Sequence, residues 1–497
     1  MPCNRAIHKR AAHCFATTGT QFGPLLRSVI LVLLGLVILA CEVSFGGRPS
    51  GPAPTTTLPS FPGAEGFGAE AVGGRGGKVY QVTNLDDSGP GSLRACAEAG
   101  RPRICVFRTG GAIRLRSQLD IEDPYLTIAG QTAPGGGITL RLSPRYLKAT
   151  LKIETHDVII RGIRVRPGAS TRSTSQRRGI TIEGGAHDVI IDHVSVSWAT
   201  DTNINVTDGA RDITVQWSII SEALSHSTHP EGEHSKGISI SGKRFTSSEQ
   251  TSNVSLHHNI IAHNLDRNPR NASWGLVDLV NNVIYNWGSS ASQVADTQTK
   301  ASLNVVGNFY EGGPDSTFLY GVNADTEEGR GVRIHVKGNI GPGRADDSQP
   351  QDNVVDPADR QWIVPRRLMA PSITTTSAHD ASDYVLTHAG ARVPSLDPVD
   401  QRVIHDIENG TGGIIDDPSQ VGGWPRVAPG TPPPDRDQDG MPNDWEQARG
   451  FNPDWDDSDR DANGNGYTNV EEYINGLISM PMIGSPSLSL IGGFHGT

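Results

Sequence analysis

Val254-Ser-Leu-His-His-Asn259, Val277-Asp-Leu-Val-Asn-Asn282, Leu303-Asn-Val-Val-Gly-Asn308 and Ile334-His-Val-Lys-Gly-Asn339 repeat one pattern, an alternating aliphatic run ending in a corner closed by asparagine. Val158-Ile-Ile-Arg-Gly-Ile163, Val189-Ile-Ile-Asp-His-Val194 and Ile213-Thr-Val-Gln-Trp-Ser218 share the run and the polar corner. The first residues of the seven are 31, 24, 41, 23, 26 and 31 positions apart. The shortest steps suit three short strands with their turns, and the longer ones suit the same coil with a loop inserted. Each unit has one aliphatic row and cannot bury it alone, so the units must stack. The pattern predicts an all-β chain, a right-handed parallel β-helix solenoid, with the four corner asparagines as an internal, structural amide stack. Sandwiches and propellers give no reason for one corner residue to recur at this spacing.

Composition agrees. The 497 residues include 58 Gly and 33 Pro, about 18% of the chain and above average usage, which argues for many turns and against a helical bundle. A net charge of −11 argues against a nucleic-acid partner, because a phosphate backbone needs clustered Lys and Arg. The charge is uneven. Residues 1–41 carry Arg5, Lys9, Arg10 and Arg27 and no acid, whereas residues 435–472 carry twelve acids against three arginines.

Val29–Ala40 is apolar but too short to span a bilayer, and with the basic residues before it reads as an export signal. It ends in Ile38-Leu-Ala-Cys41, which resembles a bacterial lipoprotein processing site, so Cys41 is a candidate lipidated anchor to a membrane. Cys3 and Cys14 leave with the leader, and Cys96 and Cys105 then read as a local disulfide in an oxidising compartment.

The acidic segment has its own order. Asp435, Asp437, Asp439, Asn443 and Glu446 fall at positions 1, 3, 5, 9 and 12 of a loop with Gly440 at 6 and Met441 at 7. Asp461, Asn463, Asn465, Tyr467, Asn469 and Glu472 repeat that order 26 residues later, with Gly466 at 6. This is the spacing of a calcium loop, in which position 7 contributes its backbone carbonyl. The pair is similar to the loops of dockerin or thrombospondin-type repeats, and is read as stabilising rather than catalytic.

Phe61-Pro-Gly-Ala-Glu-Gly-Phe-Gly68, Gly73-Gly-Arg-Gly-Gly-Lys-Val79, Val82-Thr-Asn-Leu-Asp-Asp-Ser-Gly-Pro-Gly-Ser-Leu-Arg94, Ile191-Asp-His-Val-Ser-Val-Ser-Trp198 and Val399-Asp-Gln-Arg-Val-Ile-His-Asp-Ile-Glu-Asn-Gly-Thr-Gly412 resemble the bacterial pectate lyase family, from about residue 61 to 430. The resemblance implies cleavage of pectic polygalacturonate by calcium-assisted β-elimination. Such chemistry needs a base for the proton beside the sugar carboxylate, and positive charge to neutralise the carboxylate as the proton leaves. In Leu265-Asp-Arg-Asn-Pro-Arg270, Arg267 matches the family's proton acceptor, while Arg270 stands one position early for the second arginine and reads as a carboxylate clamp. Lys236 aligns with the lysine that pairs with a substrate carboxylate. Asp201 aligns with a Ca²⁺ ligand, Asn205 stands where a second carboxylate is usual, and Arg178 occupies the slot of a third. His226, His229 and His234 on the loop 221–237 read as groove-lining polar groups. Asp192-His193 and His257-His258 read as structural.

The expected organisation is a leader over 1–41, a tether over 42–60, a β-helix lyase domain over 61–430, paired calcium loops over 431–478 and a tail over 479–497. The protein is expected to be a monomer, secreted or held at the cell envelope. Two alternatives stand beside this reading. One is a calcium-independent lyase of methyl-esterified pectin with Arg178 in place of the metal; the other is a non-catalytic β-helix that binds acidic polysaccharide.

Overall fold

The computed structural model describes residues 58–242, 250–296, 301–326 and 331–478. The leader, Cys41, all but the last three residues of the tether and the tail 479–497 lie outside the described residues.

The strands form three parallel sheets of ten, eight and eight, each holding one strand per coil. The ten-stranded first sheet contains the seven repeats in register. Val158, Val189, Ile213, Val254, Val277, Leu303 and Ile334 form one unbroken column, and the residues two further on form another. Both columns belong to the solvent-free interior. Three strands precede those seven, Lys78–Val82, Arg103–Phe107 and Leu126–Ala129. Their sequences lack the polar corner that marks the later coils.

The corners explain the residues found there. Gly162, His193, Trp217, His258, Asn281, Gly307 and Gly338 all have φ between +48° and +68°, a conformation that glycine and asparagine accept and bulky residues resist. Where the corner is bulky, the rings stack: His193 on Trp217 at 6.2 Å and Trp217 on His258 at 4.4 Å between centroids. That stacking accounts for His193 and His258 as structural groups. The next position is the amide ladder. The Oδ1 atoms of Asn259, Asn282, Asn308 and Asn339 accept the backbone N–H of Ser218, Asn259, Asn282 and Asn308 at 2.9–3.0 Å. Their Nδ2 groups donate to Val215, Leu256, Leu279 and Val305 carbonyls.

The outer faces of two sheets are apolar in part, and other segments cover them. Phe61, Ala64 and Ala71 pack on Ile159 and Ile190 of the first sheet. Gly68 has to be glycine there, because a Cβ would sit 2.2 Å from the Val189 carbonyl oxygen. Residues 345–430, where the repeat is lost, fold back along the solenoid. Helices Ala378–His388 and Pro398–Asn409 cover Ile219, Ile260, Val283 and Tyr285 of the third sheet. The terminal segment 431–478 lies on the first strands: Met441, Val470, Tyr473 and Ile474 pack on Ile104, Val106 and Ala129. Arg103–Phe107 is therefore buried along its whole length. Cys96 and Cys105 are bonded and tie this coil to the short helix before it.

Replacing Asn282 by Ala removes three donated bonds and leaves the Asn259 N–H without its acceptor. Denaturant unfolding is expected to show a loss of about 3 kcal/mol; a loss within error would contradict a structural ladder.

Candidate active site

The second sheet carries a polar outer row. Lys152, Thr181, Asn205, Ser239, Arg270 and Gln293 are in register across six strands. The residues on either side of Thr181, Asn205 and Ser239 are interior aliphatics, so alternation turns this row outward. Lys152, Thr181 and Arg178 line a cleft at one end of the row, and the loops entering its strands bring the sequence-predicted residues to one edge, Arg178 against Asp201 and Arg267 beside Ser239.

Arg267 sits at a corner with φ +61°, ahead of the strand Arg270–Ala272. Two buried amides hold that corner. Asn264 donates to Asn268 Oδ1 at 3.1 Å, and Asn268 donates to the Asn264 and Ser290 carbonyls at 3.2 and 3.1 Å. The Asn268–Pro269 bond is cis. Arg267 is half-buried; its Nη1 donates to Ser239 Oγ at 3.4 Å, and its Nε has no hydrogen-bond partner among the described residues. Burial lowers its affinity for a proton, and Arg270 adds to that, against the opposing pull of Asp266. Lys236 is paired with Asp266 at 2.8 Å, and the other Asp266 oxygen accepts the Arg267 N–H at 2.5 Å. Arg270 reaches Asp325 at 2.8 Å, an exposed partner that a ligand carboxylate can replace at small cost.

Asp201 lies where the loop 221–237 folds over the cleft. Arg178 Nε contacts its Oδ2 at 2.6 Å and His234 Nε2 its Oδ1 at 3.1 Å. Burial favours the protonated carboxyl, yet the His234 hydrogen bond and the Arg178 ion pair outweigh it, and the carboxyl is pushed down to about 2. His229 stacks on His234 with ring centroids 3.5 Å apart; burial and the neighbouring imidazole lower its proton affinity. His226 is exposed and apart from them, beside Glu233 and Asp416. Arg178 is thus an ion-pair partner of Asp201 rather than a free cation, and Lys236 is likewise engaged.

No protein-family model matches the chain. It is 36% identical to probable pectate lyase C of Neosartorya fischeri over 432 residues, covering 85% of this chain and 94% of that protein. The chain belongs to the pectate lyase family. The probable pectate lyase C of Aspergillus fumigatus matches to the same extent, and probable pectate lyase P59 of tomato is 28% identical over 242 residues, 46% of this chain and 50% of that protein. The motifs pointed to bacterial members of the family, whereas these two relatives at 36% identity are fungal. Among solved structures, the cedar pollen allergen jun a 1 aligns with a TM-score of 0.47 at 20% identity, over 66% of this chain and 92% of that one. A Bacillus pectate lyase in complex with trigalacturonate aligns with a TM-score of 0.44 at 16% identity, over 67% and 99%.

Pectate lyase membership raises the question of calcium, and the cleft residues do not fit a resident Ca²⁺. That ion takes six to eight oxygen ligands. Here Asp201 is already paired with Arg178, and among the described residues the His, Cys, Asp or Glu groups that join its carboxylate in metal-binding range are the imidazoles of His229 and His234, with no second carboxylate. The first terminal loop is different. Asp435, Asp437 and Asp439 bring carboxylate oxygens within 4.8 Å of one another. Burial and the neighbouring acids push Asp439 up to about 8 and Glu446 up to about 7. This donor set of carboxylates fits a hard divalent cation. In the second loop, Asp461, Asn463 and Asn465 are exposed and their oxygens accept backbone N–H groups within the loop. Asn469 bonds Asp457 and Ala462, and Asn465 donates to Glu472.

Two groups of the cleft, Asp266 and Ser239, escaped the sequence reading, and His234, read there only as groove-lining, has a defined partner. Asp266 holds Lys236, Ser239 touches Arg267, and His234 braces Asp201. The register of the second sheet, which places Ser239 beside Arg270, was the signal that could have found Ser239. The Asp201 ion pair has a testable sign. A carboxyl lowered from 3.8 to about 2 contributes stability above its unfolded value, and that contribution fades as pH falls through the folded one. Urea midpoints of Asp201→Asn are expected to fall less between about pH 4 and pH 2 than those of the natural protein; identical slopes would refute the pairing.

Proposed function

We propose that this pectate lyase family member cleaves pectic polygalacturonate by β-elimination at the corner that holds Arg267. The observation that carries the reading is one half-buried guanidinium whose Nε is unpartnered among the described residues, flanked by Lys236 and Arg270 above a polar sheet row. In the reaction the proton beside the sugar carboxylate passes to the base, its electron pair becomes the new carbon–carbon double bond, and the bond to the glycosidic oxygen breaks. That oxygen leaves with a proton from solvent, giving an unsaturated oligogalacturonide.

Arg267 serves as the base only in its neutral form, which a free guanidinium reaches above about pH 12. Burial and Arg270 both act in the needed direction. Lys236 and Arg270 neutralise the substrate carboxylate as charge grows on it, each exchanging an aspartate partner for the sugar acid. Ser239 stands beside Arg270 in the row, and Asn205 one strand further along it. Because the cleft does not fit Ca²⁺, no step is assigned to that ion there. Calcium belongs to the terminal loops, with Asp435, Asp437, Asp439, Asn443, Glu446 and the Met441 carbonyl as its holders, and Asp461, Asn463, Asn465, Asn469, Glu472 and the Tyr467 carbonyl in the second loop. The exported setting expected from the leader suits a polymeric substrate, and a lipidated Cys41 would keep a monomer at the cell envelope.

The ion pair between Arg178 and Asp201 at 2.6 Å favours a second reading, action on methyl-esterified pectin without calcium. Ultraviolet absorbance of the unsaturated product, followed with each polymer and with or without chelator, separates the two. Signal on polygalacturonate supports the first reading, and chelator-resistant signal on esterified pectin supports the second. Binding of either polymer without product would leave a non-catalytic β-helix. Arg267→Lys is expected to lower turnover by about 10³-fold or more with an unchanged melting temperature. Turnover of the natural protein is expected to climb as pH rises toward the alkaline range, since the neutral fraction of Arg267 grows. Full activity in the lysine variant would overturn the base assignment.

A further inference from the structure

We propose that Ca²⁺ in the first terminal loop is a staple that fastens the carboxyl-terminal segment over the opening coils of the solenoid, and that the second loop binds the ion more weakly. The inference rests on the reading of these loops as calcium sites. Spacing alone treats the two loops as equals; their surroundings do not.

In the first loop Glu446 is fully buried, and neither of its carboxylate oxygens has a hydrogen-bond donor among the described residues. Asp439 is 1% exposed, and its Oδ2 likewise has none. Buried carboxylates without donors are costly, and these two face Asp435 and Asp437. A divalent cation is the ligand that meets both needs at once, as a partner for each oxygen and as a counter-charge.

The same loop is built into the solenoid. Asp435 accepts from Gln81 Nε2 at 2.7 Å and lies 3.7 Å from Arg108, residues at the ends of the first two strands. Arg108 also donates to the Pro433 carbonyl. Met441, whose carbonyl is the expected seventh-position ligand, buries its side chain against Ile104, Val106 and Ala129. Gly440 passes so close that a Cβ would meet Val79 at 2.9 Å. Chelation at this loop therefore holds down the very residues that cover the first sheet. The second loop is also seated, with Tyr467 bonded to the Pro59 carbonyl and Gly466 close to Leu58, but Asp461, Asn463 and Asn465 are exposed and their oxygens already accept N–H groups of the loop's own backbone. Contacts of its following helix, such as Arg75 with Glu471 at 3.0 Å and Arg161 with Asn475 at 2.9 Å, need no ion.

The test uses the full chain, titrated with CaCl₂ by calorimetry and melted with and without chelator, with limited proteolysis at each condition. Three proteins are compared: natural, Asp439→Asn/Glu446→Gln, and Asp461→Asn/Glu472→Gln. Expected is a tight binding event that weakens by about tenfold or more in the first variant and persists in the second. Chelator should lower the melting temperature of the natural protein by several degrees and open residues 431–478 to protease, with a shift that grows with the logarithm of calcium concentration. In chelator the first variant should melt no lower than the natural protein, because its buried like charges are gone; in calcium the order should reverse. That crossover tells the staple from a generally damaged fold. Absence of calcium binding by the natural protein would sink the loop reading itself. Binding at the first loop without change in melting or proteolysis would sink the staple alone, and retention of the tight event in the first variant but not the second would reverse the order of the loops.

Discussion

A coil that turns three corners must find a partner for each buried backbone N–H and carbonyl that the corners take out of the sheets. In this chain the partner is an amide side chain one coil along. Asn259, Asn282, Asn308 and Asn339 each accept one N–H and return one donor to a carbonyl. The amide sets the distance between coils and the register of everything stacked on them. Column after column of Ile, Val and Leu then closes the interior. The cleft inherits its geometry from the same device, since the corner of Arg267 is held by Asn264 and Asn268, a second set of buried amides.

Cations and anions in the cleft are arranged in exchangeable pairs. Lys236 with Asp266 and Arg270 with Asp325 keep the basic side chains oriented in the absence of substrate. A polyanion arriving at an acidic protein meets fixed positive groups whose present partners are carboxylates of the kind it carries. The net charge of −11 is concentrated elsewhere, in the terminal loops, so the overall sign says little about the surface that binds.

The solenoid was legible because its repeat survives insertion. A loop of any length leaves the aliphatic run and the corner asparagine intact, and the seven predicted segments are seven consecutive strands of one sheet. The first three coils were not legible. Lys78 and Arg103 stand where the seven segments begin on an aliphatic residue, and Arg103–Phe107 is apolar on both faces because Met441 and Ile474 cover the outer one, a contact more than three hundred residues away in sequence. The cleft was legible in its members through the motif around Arg267, but not in its pairings. That Arg178 is an ion-pair partner of Asp201, and that Lys236 leans on Asp266, are facts of register and loop folding. The linear order of the two terminal loops likewise hid their difference, which lies in burial: Glu446 is enclosed and Glu472 is not.

The polar row from Lys152 to Gln293 advances by one residue per coil, about 4.8 Å at each step. The coil is thus a unit of length as well as of folding. A chain that gained or lost one coil on either side of Arg267 would lengthen or shorten its hold on a linear polymer by one step, with the reacting corner untouched. Binding length and chemistry are separable quantities in this architecture, free to drift independently over evolutionary time.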